Sequence, residues 1–297
     1  MSALTTWARQ RSLLLVAFGL MSGCIIGDDK WQRPRDLPSV NEVDRTRILA
    51  IKVDPPMANP GDIVTASALL PDPDGTAELR LWTWCPPELS SSVGCLAAGE
   101  EGFLGAEPGV PPIGMVPEAA LEGHSEEDQR NGIYWVVQLM AAPEALLDEA
   151  DEDSFNDPEF FNSVESGTKR LTVSNAEVKN TNPNIDGFLF DGIEVAADTV
   201  IEVDAEQSYD VELIIDPDSI EDYEFQLRDG TLEPRTEQLY GTWYATAGAL
   251  FNPYTLDPYW ETQWTAPEEG GAEGSIWVVV RDRRGGVEWI ERKYRVR

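Results

Sequence analysis

The chain is poor in the residues that most enzymes and nucleic-acid binders depend on. Among 297 residues there is one histidine, His124, and there are three cysteines, Cys24, Cys85 and Cys95. A Ser–His–Asp or Cys–His site needs an imidazole held beside its nucleophile. His124 sits instead in an unpatterned stretch rich in Gly, Pro and acid, with no Gly-x-Ser-x-Gly elbow near it. Gly-rich phosphate-cradling loops are absent too, and Gly285-Gly286 is better explained as part of a hairpin turn. Basic residues are scarce, at 22 Lys and Arg against 54 Asp and Glu, for a net charge of −32. Phosphate neutralisation needs clustered cations, so nucleic acid is excluded as a partner. The same deficit argues against attraction to anionic lipid headgroups. With so many acids, some pair will lie at a glycosidase-like separation by chance, so paired carboxylates carry almost no signal.

Long apolar runs are also missing. The longest near the start, Leu13–Met21, spans nine residues, well short of the about 20 that cross a bilayer as a helix. It follows a segment charged only at Arg9 and Arg11 and leads into Ser22, Gly23 and Cys24. A basic start, a short apolar stretch and small residues at the exit describe a secretory signal over residues 1–23. The Met21-Ser22-Gly23-Cys24 exit resembles the bacterial lipobox, with Met where Leu is commoner. That resemblance implies a diacylglycerol on the Cys24 sulfur, cleavage before it and acylation of the new amine. Two or three chains meet the requirement for stable anchoring. Ile25 follows the cysteine rather than an Asp, which by analogy favours the outer membrane, facing either side. A secreted protein cut nearby is the alternative.

What is abundant is hydrophobic and aromatic. Hydrophobic residues make up 42% and there are ten Trp, eight of them after Trp7 and Trp31, which is incompatible with charge-driven disorder. Residues 24–44 carry mixed charge, two Pro and no period, and read as the lipidated cysteine plus a tether. Such a tether spans roughly 25 Å if flexible and about 60 Å if extended. From residue 45 onward, period-two alternation bounded by Pro, Gly and Asp clusters predicts strands. The expected strands of the first half are 47–53, with Leu49, Ile51 and Val53 on one face, then 64–70, 79–85, 133–140 and 170–174. Between Pro86 and Gly132 no period is visible, and this reads as a long insertion. A short helix is expected from Pro143 to about Ala150. Asn180-Thr181-Asn182-Pro183-Asn184 looks like an interdomain joint, and eight further strands follow it, ending with 275–281 and 287–296 around Asp282-Arg283-Arg284-Gly285-Gly286.

Many short strands with almost no helical period predict an all-β chain, folded as two antiparallel β-sandwich domains over 45–175 and 176–297. No internal repeat is visible. The second half resembles Ig-like repeats of the polycystic-kidney-disease and bacterial-Ig type at Trp243-Tyr244-Ala245, at Trp264-Thr265-Ala266-Pro267 and at Trp277 to Asp282. The first resembles them at Asp54-Pro55-Pro56 and Pro60-Gly61-Asp62. With the lipobox and tether, the whole resembles a class of myxobacterial lipoproteins, which implies two Ig-like modules and assigns no activity.

Cys85 and Cys95, ten apart, are expected to form a disulfide in an oxidising compartment. The acidic run holding Asp148, Asp151 and Asp153 has enough oxygens for calcium but lacks the Gly and terminal Glu of an EF-hand loop, so a solvated loop is the better reading. Trp82 and Trp84 share one strand face, and Trp260 and Trp264 share another. Exposed, such pairs could stack on a glycan or anchor a protein; burial between sheets is favoured. The expectation is therefore a non-enzymatic envelope lipoprotein without cofactor, whose modules serve adhesion, scaffolding or protein interaction. A glycan-binding lipoprotein is the alternative.

Overall fold

A computed structural model describes residues 39–73, 75–90, 95, 102–106, 109–143, 146 and 164–297. Cys24 and Asp148, Asp151 and Asp153 lie outside the described residues, as do the expected signal segment, most of the expected tether and all but Pro143 and Leu146 of the expected helix. By its internal contacts Asn41–Arg297 forms one compact unit, with Met1–Val40 as another.

The chain is all-β, as its period-two pattern predicts. The first sandwich begins with β1 (Ala50–Asp54), β2 (Met57–Ala58), β3 (Ile63–Leu69), β4 (Leu79–Cys85), β5 (Phe103–Gly105) and β6 (Ile113–Met115). After helix α1 (Glu126–Asn131), β7 (Ile133–Ala142) and β8 (Glu165–Val173) complete it. One sheet has the order β1-β3-β6 and the other β2-β8-β7-β4-β5. The stretch expected to be a patternless insertion thus supplies two edge strands and a helix. These are too short to show a period, and Ser125 caps the helix by accepting from the Asp128 amide.

The second sandwich holds β9 (Ile185–Phe190), β10 (Ile193–Glu194), β11 (Val200–Val203) and β12 (Ser208–Ile215), then β13 (Asp222–Gln226) and β14 (Leu232–Thr236). It continues with β15 (Tyr240–Ala245), β16 (Ala249–Leu250), β17 (Tyr254–Leu256), β18 (Glu261–Thr265), β19 (Glu273–Arg281) and β20 (Val287–Val296). Its sheets run β10-β9-β12-β18-β16 and β11-β20-β19-β15-β17, with β13 and β14 as a separate hairpin.

The two sandwiches repeat one plan that no sequence repeat announces. In each, the first strand pairs in one sheet, and a short strand then crosses to the facing sheet. There it pairs parallel with the last strand of the module, β2 with β8 and β11 with β20. The other pairings are antiparallel, so each sandwich is Ig-like with one parallel edge. In the first module the crossing follows Pro55-Pro56, where two missing N–H groups interrupt the ladder.

Each sandwich has its own core. Val53, Trp84, Trp135, Leu139 and Leu171 fill the first, and Phe188, Trp243, Trp264, Val278 and Tyr294 the second. A third cluster joins Val43, Leu49 and Ala50 to Trp277, Val279 and Val287. Its origin is legible in β19, whose run Ile276–Val280 is apolar without alternation and is buried throughout. Ile276, Val278 and Val280 enter the second core, while Trp277 and Val279, on the opposite face, meet the first module. Leu49, expected beside Ile51 and Val53, instead joins this cluster because it precedes the regular strand.

The folded body begins earlier than expected. Asn41 and Val43 are buried, the Val43 amide donates to the Ala245 carbonyl at 2.9 Å, and the Ala245 amide donates to the Asn41 carbonyl at 3.0 Å. Asn41–Val43 therefore pairs along β15 and is part of the folded body.

Candidate functional site

Cys85 and Cys95 form the expected disulfide, with Cα atoms 5.4 Å apart. Around it the Cys95 amide and the Thr83 hydroxyl both donate to Gln138 Oε1, at 3.0 and 3.4 Å. Thr83, Cys85 and Cys95 are thereby buried on the outer face of β4, and the bridge's role is structural.

The four candidate ligand tryptophans are buried, the reading favoured for them from the sequence. Trp82 and Trp84 lie in the first core, where Trp84 meets Trp135 at 5.1 Å between ring centroids. Trp260 and Trp264 lie in the second, where Trp264 packs on Tyr294 at 4.7 Å. Of the four, Trp264 spends its indole nitrogen internally, donating to the Ala247 carbonyl at 3.1 Å. In a two-layer fold with thin sheets, large rings are worth more as core than as surface. His124 is half-buried in a turn, and among the described residues no group of three His, Cys, Asp or Glu is placed to hold a metal ion.

The structure assembles a different feature, a groove where the two sandwiches and the β13–β14 hairpin meet. α1 clasps the hairpin through Asn131, whose side-chain amide donates to the Gln226 carbonyl at 2.8 Å and accepts from the Gln226 amide at 2.9 Å. Arg130 pairs with Glu224 beside it at 2.9 Å. Between them lies a compartment of about 400 Å³ with Met57, Tyr134, Tyr223, Phe225 and Pro234 in its walls. Guanidinium groups stack over two of these rings, Arg284 on Tyr223 and Arg235 on Phe225, each at 4.0 Å.

A second compartment of about 230 Å³ adjoins the first, sharing Tyr134, Arg283 and Arg284. Its walls carry Lys169, Arg170, Arg281, Arg283 and Arg284 against the single acid Asp282. The β19–β20 turn positions the arginines through that acid. Asp282 is buried; its Oδ1 accepts from the amides of Arg284, Gly285 and Gly286, and its Oδ2 accepts from Gly286 and from Asn180 Nδ2. Only glycine fits at 286, where a Cβ would stand 2.2 Å from Asp282 Oδ2 and 2.6 Å from the Thr181 carbonyl.

Below the turn, Arg284 bridges Glu237 at 2.6 Å and Glu221 at 3.3 Å. Burial, with Asp282 and Glu221 nearby, pushes the Glu237 carboxyl up to about 7 despite Arg284. Lys169 moves the other way. It shares the core-facing side of β8 with Leu171 and Val173, and burial, aided by Arg281 and opposed by Asp282, lowers it to about 8.

No family model matches this chain, and no curated relative matches it. Similar solved structures include the fibronectin(III)-like modules of Clostridium thermocellum CbhA, 8% identical over 84% of this chain and 94% of that one, with a TM-score of 0.27. The N-terminal Ig1-2 module of the Drosophila receptor protein tyrosine phosphatase DLAR is 11% identical, covering 85% and 99%, at 0.26. Three N-terminal domains of the bacteriophage RB49 outer capsid protein Hoc are 10% identical, covering 84% and 59%, at 0.21. At such scores the likeness adds nothing to the strand topology above.

The groove escaped the sequence because its walls come from α1, β7, β8, the β13–β14 hairpin and the β19–β20 turn. One local signal was present. Arg281-Asp282-Arg283-Arg284 concentrates cations in a chain that has few, and as a sequence it reads only as a hairpin turn.

Proposed function

We propose that the protein is an envelope lipoprotein, anchored through a lipid on Cys24, whose two Ig-like sandwiches act as a single rigid module for protein interaction. The observation that carries this is the apolar cluster of Val43, Leu49, Ala50, Trp277, Val279 and Val287, which fuses the sandwiches. An interface that resembles a core cut in half holds its partners in one orientation, which suits a body that presents a fixed surface. The seating of Asn41–Val43 on β15 supports the same reading, since the chain leaving the tether is stitched directly to the body. The −32 charge keeps such a body soluble and away from anionic surfaces. Outer-membrane residence follows from the lipobox reading and Ile25. Burial of Trp82, Trp84, Trp260 and Trp264 removes the basis for the glycan reading.

Two measurements test the proposal. Labelled palmitate is incorporated into the wild-type chain and not into Cys24→Ala, which leaves the membrane fraction; a Cys24→Ala chain that still fractionates with membranes overturns the anchor. Photo-crosslinkers at the exposed positions Ile193 and Phe251 are expected to give discrete adducts with an envelope protein in the native host. Absence of any protein adduct from either position, and from matching positions on the first sandwich, overturns the interaction role.

A further inference from the structure

Among the described residues, several cations of the junction line a single compartment. Lys169, on the core-facing side of β8, and Arg281, on the face of β19 turned toward the first sandwich, are half-buried in its walls, and Arg170 and Arg283 stand exposed at its rim. Among the described residues none of the four forms an ion pair. Arg281 spends its guanidinium on the Leu49 carbonyl at 3.0 Å and Thr242 Oγ1 at 3.4 Å. Arg170 and Arg283 lie over the rings of Tyr134 and Tyr240, at 5.3 and 5.6 Å. The nearby acid, Asp282, has its oxygens committed to backbone amides and to Asn180.

A chain with 54 acids has every means of neutralising four clustered cations. Leaving the half-buried pair Lys169 and Arg281 without a carboxylate costs folding free energy, and an anion that enters recovers it. Cationic side chains lining one small compartment supply the chemistry that binds carboxylate and phosphate. The adjoining compartment, walled by Tyr223 and Phe225, offers apolar contact immediately beside it.

We propose that Lys169, Arg170, Arg281 and Arg283 form an oxyanion site that takes the phosphate or carboxylate of a ligand whose apolar part lies along Tyr223 and Phe225. This goes beyond the interaction reading and is independent of the anchor on Cys24.

The test uses the full chain in detergent, titrated at constant ionic strength with inorganic phosphate, succinate and phenyl phosphate, and sodium chloride as the reference. Phosphate or succinate is expected to bind and to raise the thermal midpoint where chloride does not, and whichever binds identifies the oxyanion. Phenyl phosphate is expected to bind about tenfold more tightly than inorganic phosphate. The exposed double variant Arg170→Gln/Arg283→Gln should keep its unliganded midpoint and weaken binding about tenfold or more. Lys293→Gln, an exposed cation on β20, should change nothing. A response no larger than that of chloride, or one that survives the double variant, overturns the site. Equal affinity for phenyl phosphate and inorganic phosphate overturns the apolar half of it.

Discussion

Glu237 couples the junction to pH through a single carboxyl. Its neighbours are Arg284 at 2.6 Å, the buried Asp282 and Glu221, and burial dominates, holding it at about 7 against an ordinary 4.5. Between those values the folded protein keeps a proton that the unfolded chain has released. The stabilisation is therefore complete below about 4.5 and disappears as the pH rises through about 7. Glu237→Gln mimics the protonated form, so its thermal midpoint should fall less than that of the wild type across this interval. The overall acidity contributes a background fall with pH in both proteins, and the difference between them isolates Glu237. Parallel curves in differential scanning calorimetry would show that the carboxyl is ionised in the fold throughout.

At the scale of elements, the disulfide closes the end of β4 over the outer face of the sheet, and Gln138 of β7 is the other half of that closure. A ten-residue loop stabilises by roughly 2–3 kcal/mol on the chain-entropy account. Cys85→Ser/Cys95→Ser should lower the thermal midpoint by roughly 5–10 °C, read by circular dichroism, with the second sandwich's near-ultraviolet tryptophan signal unchanged at low temperature. The elements themselves were largely legible. β4, β7, β12, β19 and β20 carry apolar residues at period two, or continuously where both faces are buried, between Pro, Gly and Asp boundaries. The short strands β2, β5, β6, β10, β16 and β17 were not, because two or three residues cannot display a period. β14 was hidden for another reason. Leu-Glu-Pro-Arg-Thr is mostly exposed, so no buried face imposed a pattern on it. Parity along a strand puts Trp82 with Trp84 on one face and Trp260 with Trp264 on another, but does not say which side is solvent. The burial of Trp82, Trp84, Trp260 and Trp264 depends on which sheet lies opposite.

At the scale of the whole molecule, the consequence is cooperativity between two modules that each have a core of their own. Lys52 of β1 pairs with Glu288 of β20 at 2.8 Å, and Asn182 Nδ2 donates to the Val53 carbonyl at 3.1 Å while its Oδ1 accepts from the Val287 amide at 2.9 Å. These polar links ring the apolar cluster. Partly solvated links of this kind contribute little by themselves, so the coupling resides in Trp277 and Val279. Removing a buried Trp costs about 3–5 kcal/mol, and here most of that loss falls on the junction, since Trp277 faces away from the second core. The wild-type body should unfold in one calorimetric transition. In Trp277→Ala/Val279→Ala the sandwiches lose their common interface while retaining Ile276, Val278 and Val280 inside the second core, so the transition should split in two. The radius of gyration from small-angle scattering should rise as the modules separate. A double variant that keeps one transition at the wild-type midpoint would place the coupling elsewhere and remove the rigid-body argument on which the proposed function stands.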